Sequence, residues 1–242
     1  MCTVTFIRVK SSIFITSNRD EKLTRRNAIP PAFYDYNRSK LLFPKDADAG
    51  GTWIILKENG DAAVLLNGAF LCHSSQPPYR KSRGILLLEL MSADHPSRTY
   101  YKTDLSDIEP FTIILFEKGC LYEFRWDGNE RFCKQLSAGR GHIWSSATLY
   151  DGLAMKKREQ WFATFLNRTP HPTQFDILNF HRQAGDGSKT NDLLMNRDTI
   201  YSTVSISGIM LTPDRGSMTY IDVKNNRQSE KKIELMTASE AL

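Results

Sequence analysis

The order of predicted elements places this 242-residue chain in the α+β class, as two stacked antiparallel sheets with helices outside. Three observations lead there. Strand-like runs rich in β-branched and aromatic residues concentrate at both ends of the chain. Two helical groups stand apart, one after the first set of strands and one after a later three-strand meander. No repeat or linker interrupts the sequence, which reads as one domain over 1–242. Apolar residues make up 40% and aromatic residues 11%, enough for a packed core rather than a disordered chain.

Taken in order, Thr3–Ile7 and Ile13–Thr16 form a hairpin about Lys10-Ser11-Ser12, and the second strand ends in Ser17-Asn18-Arg19-Asp20-Glu21. Residues Lys22 to Phe43, with Pro30-Pro31, read as a surface loop. Gly50-Gly51 precedes a strand at Thr52–Lys57, Asn59-Gly60 makes a turn, and Ala62–Leu66 returns to Asn67. Ser82 is a candidate N-cap for a helix through Ile85–Met91 that is apolar nearly all round, hence buried on more than one side. A shorter helical stretch lies within Pro96–Asp107. Strands at Phe111–Phe116, Leu121–Trp126 and Arg131–Leu136 form the meander, and Ile143–Ser146 is a further strand. Asp151 opens a helix to about Asn167 with Leu153, Trp161, Phe162, Phe165 and Leu166 largely on one face. Thr173-x-x-Asp176 opens another with a near capping box, and His181 is a helix-face histidine. The polar loop 185–198 carries Leu193-Leu194-Met195 and is expected to close over a pocket. Thr199–Thr212 and Met218–Lys224 make a last hairpin, with an edge strand at Asn226–Met236.

Composition removes several classes of function. Thirty-two basic against 27 acidic residues give a net charge of +5. The basic residues are scattered, and groups such as Arg25-Arg26 and Lys156-Lys157-Arg158 read as solvated faces, so no nucleic-acid partner is expected. No apolar run approaches the roughly 20 residues of a membrane span, and the first strand is too short for a secretory signal. A cytoplasmic protein without stable membrane insertion is expected; the oligomeric state is open. The four cysteines, Cys2, Cys72, Cys120 and Cys133, form no C-x-x-C pair, so no metal is expected, and no motif calls for a cofactor. Gly139-Arg140-Gly141-His142 lacks the features of a phosphate loop. Cys120 and Cys133 are expected as free, buried thiols.

Chemistry concentrates at Cys2. Removal of Met1 would leave a chain beginning with Cys, its thiol and a free α-amine on one carbon. The amine titrates at about 8 and a thiol near 8.5, so the amine can serve as base for its own side chain. The hairpin returns Asn18, Arg19 and Asp20 toward Cys2. A guanidinium there favours thiolate, and a carboxylate can orient the ammonium.

The Met-Cys start with Asn18-Arg19-Asp20-Glu21, Gly50-Gly51-Thr52-Trp53, Leu65-Leu66-Asn67 and Ser82-Arg83-Gly84 together resemble the NRDE family, also called the transport and Golgi organisation 2 family. The resemblance implies a four-layer αββα sandwich of two antiparallel sheets, similar to N-terminal nucleophile hydrolases of the cysteine branch that includes penicillin V acylase and bile salt hydrolase. It implies Cys2, Arg19, Asp20 and Asn67 as catalytic positions, and Asn18, Trp53 and Ser146 as substrate-binding positions. Three departures accompany it. Arg19 and Asp20 are adjacent here, Ser145-Ser146 stand where those hydrolases carry a second oxyanion asparagine, and their second arginine has no evident counterpart. Two functions follow. One is an N-terminal-cysteine hydrolase cleaving an amide or thioester bond of a small acyl or lipid-like substrate. The other is a non-catalytic binding or trafficking module for a lipid, acyl-CoA or haem-like ligand.

Overall fold

Cys2–Val9 (β1) and Ser12–Lys22 (β2) pair antiparallel about a turn in which Lys10 adopts a positive φ, and this hairpin sits at the centre of one sheet. The structure, a computed structural model, describes residues 2–197 and 200–235. Three strands that follow the last helix in the chain extend that sheet: Tyr201–Leu211 (β12), Arg215–Asp222 (β13) and Arg227–Glu234 (β14). His142–Ser145 (β10) lies on the other side of β1, giving the order β10-β1-β2-β12-β13-β14, with the two-residue Asn196–Arg197 (β11) also on β12. The second sheet runs in sequence order: Ile29–Tyr36 (β3), Ser39–Lys45 (β4), Ile54–Lys57 (β5), Ala62–Asn67 (β6), Phe111–Glu117 (β7), Cys120–Trp126 (β8) and Arg131–Leu136 (β9). Among the described residues each sheet has seven strands and every pairing is antiparallel.

Alternation along the strands divides their side chains between two interfaces. Val4, Phe6 and Ile15 of one sheet meet Ile54, Leu56, Val64 and Ile114 of the other in the central core. Ile55, Ala63, Leu65 and Ile113 point outward, against Arg83–Ser92 (α1) and Pro96–Lys102 (α2) through Leu86, Leu87, Leu90, Met91 and Tyr100. On the opposite outer face, Ile7 and Phe14 pack under Gly152–Arg168 (α3) and Gln174–Gln183 (α4) through Phe162, Ile177 and Phe180. The layers are therefore α1/α2, sheet, sheet, α3/α4. Strands covered on both faces read as continuous apolar runs, as Ile54–Leu56 and Ala62–Leu66 do. Full burial of each such Leu or Ile is worth roughly 1.5–3 kcal/mol.

The helix ends follow their sequence signals. Ser82 caps α1 by accepting from Ile85 N–H, Asp151 caps α3, and Thr173 with Asp176 forms a full capping box on α4.

Several expectations are corrected. Residues 22–43 are not a loop: they supply the end of β2, all of β3 and most of β4. Asn37 and Arg38, both at positive φ, form the turn, and Pro30-Pro31 is tolerated because β3 is a sheet edge. The cluster 18–21 does not follow β2 but lies inside it. Leu153 is exposed rather than on the buried face of α3, whereas Arg158, read as solvated, is fully buried. Loop 185–198, as far as Arg197, does not cover the cleft beside Cys2. Its Leu193 and Met195 are buried instead, Leu193 beside α3 and α4; Asp198 and Thr199 lie outside the described residues, as does Met236. Cys120 and Cys133 are free thiols in the sheet that does not hold Cys2, but they are half-buried and exposed, because β9 is an edge strand.

Candidate active site

The cleft beside Cys2 begins with a register. Cys2 lies directly opposite Arg19 in the β1–β2 ladder, so the two side chains leave the same face of the sheet, toward the second sheet. Both are buried, Cys2 to 1% exposure. They line a cleft of about 130 Å³ together with Trp53, Asn67, Arg83 and Gly84.

Period-2 alternation splits the Asn18-Arg19-Asp20-Glu21 cluster in two. Arg19 and Glu21 face the cleft. The Arg19 guanidinium lies 4.5 Å from the centroid of the Trp53 ring and donates to Asp46 at 2.6 Å and Glu21 at 3.4 Å. Arg25 reaches the same Asp46 at 2.7 Å. Burial opposes ionisation of Asp46, but the Ala49 amide, the charges of Arg19 and Arg25, and the Asp48 amide outweigh it and hold the carboxyl below its usual range.

Asn18 and Asp20 occupy the opposite face, under α3, α4 and the loop before β11. Asn18 donates to the carbonyls of His181 and Leu193 at 3.0 and 2.7 Å, and accepts from His181 Nδ1 at 2.6 Å. Thr5 lies 2.8 Å from the other ring nitrogen, which fixes the neutral tautomer with its proton on Nδ1 and Nε2 accepting from Thr5. Burial, aided by the charge of Arg158, pushes His181 down to about 3. Asp20 is wholly buried and accepts from Tyr150 and Thr203, each at 2.6 Å. A bulge at Val204 in β12 re-aims the strand beside this position. Burial raises the Asp20 carboxyl, against the charge of Arg158 and the two hydroxyl donors. Arg158 stacks its guanidinium 3.4 Å from the centroid of Tyr150 and donates to Thr3 and to the carbonyls of Asn191 and Asp192. Neither Asn18 nor Asp20 lines the cleft.

Asn67 ends β6 at the cleft, and its side-chain amide makes no hydrogen bond among the described residues. Ser146 is buried outside the cleft. Its N–H donates to the carbonyl of Cys2 at 2.9 Å and its hydroxyl to the carbonyl of Asn67 at 2.8 Å, so it ties the start of β1 to the end of β6 across the two sheets. Trp53 lines the cleft with its indole N–H buried and unpartnered.

The far wall is the first turn of α1. A Cβ on Gly51 would lie 2.4 Å from the backbone carbon of Gly84, and one on Gly84 would lie 2.8 Å from the carbonyl oxygen of Thr52. Only glycines let the loop before β5 and the helix approach so closely, which accounts for Gly50-Gly51-Thr52-Trp53 and Ser82-Arg83-Gly84 in physical terms. Arg83 is anchored by Glu109 at 2.8 Å and the carbonyl of Pro110 at 3.1 Å. Of the cleft residues, Arg25 and Asp46 had no sequence signal separating them from ordinary surface charges. No group of acidic, histidine and cysteine side chains among the described residues is arranged to hold a metal ion. No helix among them is long and apolar enough to cross a membrane.

Residues 1–178 match the family described as Transport and Golgi organisation 2. The chain belongs to that family. This member matches no curated protein. Its fold is similar to a cysteine-to-alanine mutant of conjugated bile acid hydrolase from Clostridium perfringens, at 11% identity and a TM-score of 0.54, covering 96% of each chain. It is similar also to the Caenorhabditis elegans ortholog of N-acylethanolamine-hydrolyzing acid amidase, at 11% identity and a TM-score of 0.59, covering 95% of this chain and 99% of the other. An arginine-to-leucine variant of the bile acid hydrolase aligns over 100% of both chains at 10% identity and a TM-score of 0.52. The family member is thus an αββα protein of N-terminal nucleophile hydrolase fold.

Proposed function

We propose that the protein is an N-terminal-cysteine hydrolase that cleaves an amide or thioester bond of a small acyl substrate. The observation carrying this reading is the Cys2–Arg19 register pair, opening on a cleft that also presents the unengaged amide of Asn67. Two proteins of similar fold are an N-acylethanolamine-hydrolyzing acid amidase and a conjugated bile acid hydrolase, which supports hydrolysis as the class of reaction but not the substrate.

Loss of Met1 makes Cys2 terminal. Its α-amine takes the thiol proton, and the sulfur attacks the substrate carbonyl. The oxyanion of the tetrahedral intermediate receives a hydrogen bond from the Asn67 amide, a contribution of roughly 3–4 kcal/mol for one such donor. The carbon–nitrogen or carbon–sulfur bond then breaks, the ammonium returns its proton to the leaving group, and a thioester remains on Cys2. Water, deprotonated by the same amine, attacks that thioester and releases a carboxylic acid. Arg19, held by Asp46 and Glu21, keeps positive charge on the Cys2 face. Asp20, on the opposite face of β2 with its carboxylate held by Tyr150 and Thr203, acts as a positioning residue for the strand that carries Arg19. Ser146 acts as a positioning residue that holds the backbones of Cys2 and Asn67.

A panel of N-acyl amino acids, penicillin V and acyl thioesters, followed by mass spectrometry, tests the proposal. Turnover in the wild type that disappears in Cys2→Ser supports it. Binding without turnover of any member transfers the site to the ligand-carrier reading, and turnover that survives Cys2→Ser removes Cys2 as nucleophile.

A further inference from the structure

Three arginines line the cleft, and two of them are spoken for. Arg19 and Arg25, with Arg26 beside them, share ion pairs with Glu21, Asp46 and Asp48, three cations against three carboxylates. Arg83 stands on the other wall. Its ion-pair partner among the described residues is Glu109 alone, at 2.8 Å, and Glu109 also takes His73 at 3.3 Å. One guanidinium nitrogen meets Glu109 and the other Pro110, which leaves donors of the five-hydrogen fork uncommitted. Arg83 and Cys2 line the same cleft, so the guanidinium faces the space open to a substrate.

Arg83 is the first residue of α1, whose opening turn contains no acidic side chain. Ser82 satisfies the amide of Ile85, whereas the amides of Arg83 and Gly84 make no hydrogen bond among the described residues, and both residues line the cleft. A helix start of this kind favours negative charge. Independently of the helix, Trp53 contributes to the cleft a side chain that is 94% buried by its 6% exposure, with an indole N–H that has no partner. A buried donor left unpaired is costly, so this N–H calls for an acceptor that the chain does not supply among the described residues. Arg83, the first-turn amides and the Trp53 indole are all donors, whereas the cleft's carboxylates, Glu21 and Asp46, pair with Arg19 and Arg25.

We infer that the α1 wall is a carboxylate subsite, with Arg83 as the residue that selects acyl substrates carrying an anionic headgroup over neutral ones. The cleft has room for a small polar headgroup of amino-acid size. This inference rests on the hydrolase reading for its substrate class, but binding alone can test it.

The experiment is calorimetric titration of the Cys2→Ala full-length protein with two chain-matched ligands, an N-acylglycine and the corresponding N-acylethanolamine, which differ in the carboxylate. The expected result is tenfold or greater preference for the N-acylglycine, falling to near one when Arg83→Gln is added. Because Arg83→Gln leaves Glu109 without its cation, Arg83→Gln/Glu109→Gln serves as the second variant and should give the same ratio, while Arg83→Lys should keep part of the preference. Equal affinities, or a preference that survives both Gln variants, overturn the inference. Selective binding with no turnover by the Cys2 protein leaves the subsite standing and removes the hydrolase reading. Turnover of both ligands without selectivity does the reverse.

Discussion

Acid should destabilise this protein well above the carboxylate range, and His181 is the reason. Its ring is fully buried, and it uses its one proton on Asn18 and its one lone pair on Thr5. Burial, with the charge of Arg158, brings it down to about 3, whereas an unfolded histidine titrates near 6.5. The folded state therefore binds fewer protons than the unfolded state between those values. Stability attributable to this group is complete above about pH 6.5 and is lost progressively as pH falls toward 3. Each pH unit in that window costs about 1.4 kcal/mol, so moving from neutral pH to pH 5 costs about 2 kcal/mol. Asp20 works in the opposite direction: its carboxyl is raised, so protonation on acidification relieves a penalty. Comparing wild type with His181→Gln separates the two, because the variant retains Asp20. Urea unfolding followed by circular dichroism at pH 7, 6 and 5 should give a wild-type stability that falls by about 2 kcal/mol more than that of His181→Gln. Parallel pH profiles for the two proteins would mean that His181 is not a buried neutral imidazole.

Two further substitutions probe the supports of the cleft. Asp20→Ala removes the acceptor of two buried hydroxyls, Tyr150 and Thr203, and should cost roughly 1–3 kcal/mol for each donor left unpaired in urea unfolding; a loss below about 1 kcal/mol would contradict the buried network. Gly51→Ala drives a methyl into the backbone of Gly84 and should cost roughly 1–3 kcal/mol, with a matching loss of cleft ligand binding. An unchanged midpoint would show that loop and helix can separate freely.

Much of the fold could be read from residue pattern. The Lys10-Ser11 turn, Asn59-Gly60, the Ser82, Asp151 and Thr173 caps and the 111–136 meander each carry local chemistry that determines an element. The segment 22–43 failed because Pro30-Pro31 signals a loop, and only its place at a sheet edge makes it a strand. Arg158 failed for a related reason. A basic triplet looks solvated until tertiary structure supplies Tyr150, Thr3 and two carbonyls. At the site, the hairpin alone brings Cys2 to Arg19. The division of Asn18 and Asp20 from Arg19 and Glu21 depends on knowing that β2 continues through the cluster, and on which face the helices cover. Arg25, Asp46 and the α1 wall come from distant sequence, and their approach is set by Gly51 against Gly84 rather than by any local periodicity.

If the protein is an N-terminal-cysteine hydrolase, Cys2, as the first residue of the processed chain, carries the acyl group during turnover. Acid-quenching a reaction with a slowly hydrolysed acyl thioester, then peptide mapping by mass spectrometry, tests it in one measurement. The expected product is an N-terminal peptide that begins at Cys2 and gains the acyl mass on its sulfur, with no such gain at Cys72, Cys120 or Cys133. A peptide that still begins with Met1, or an acyl group found only on another cysteine, would contradict it.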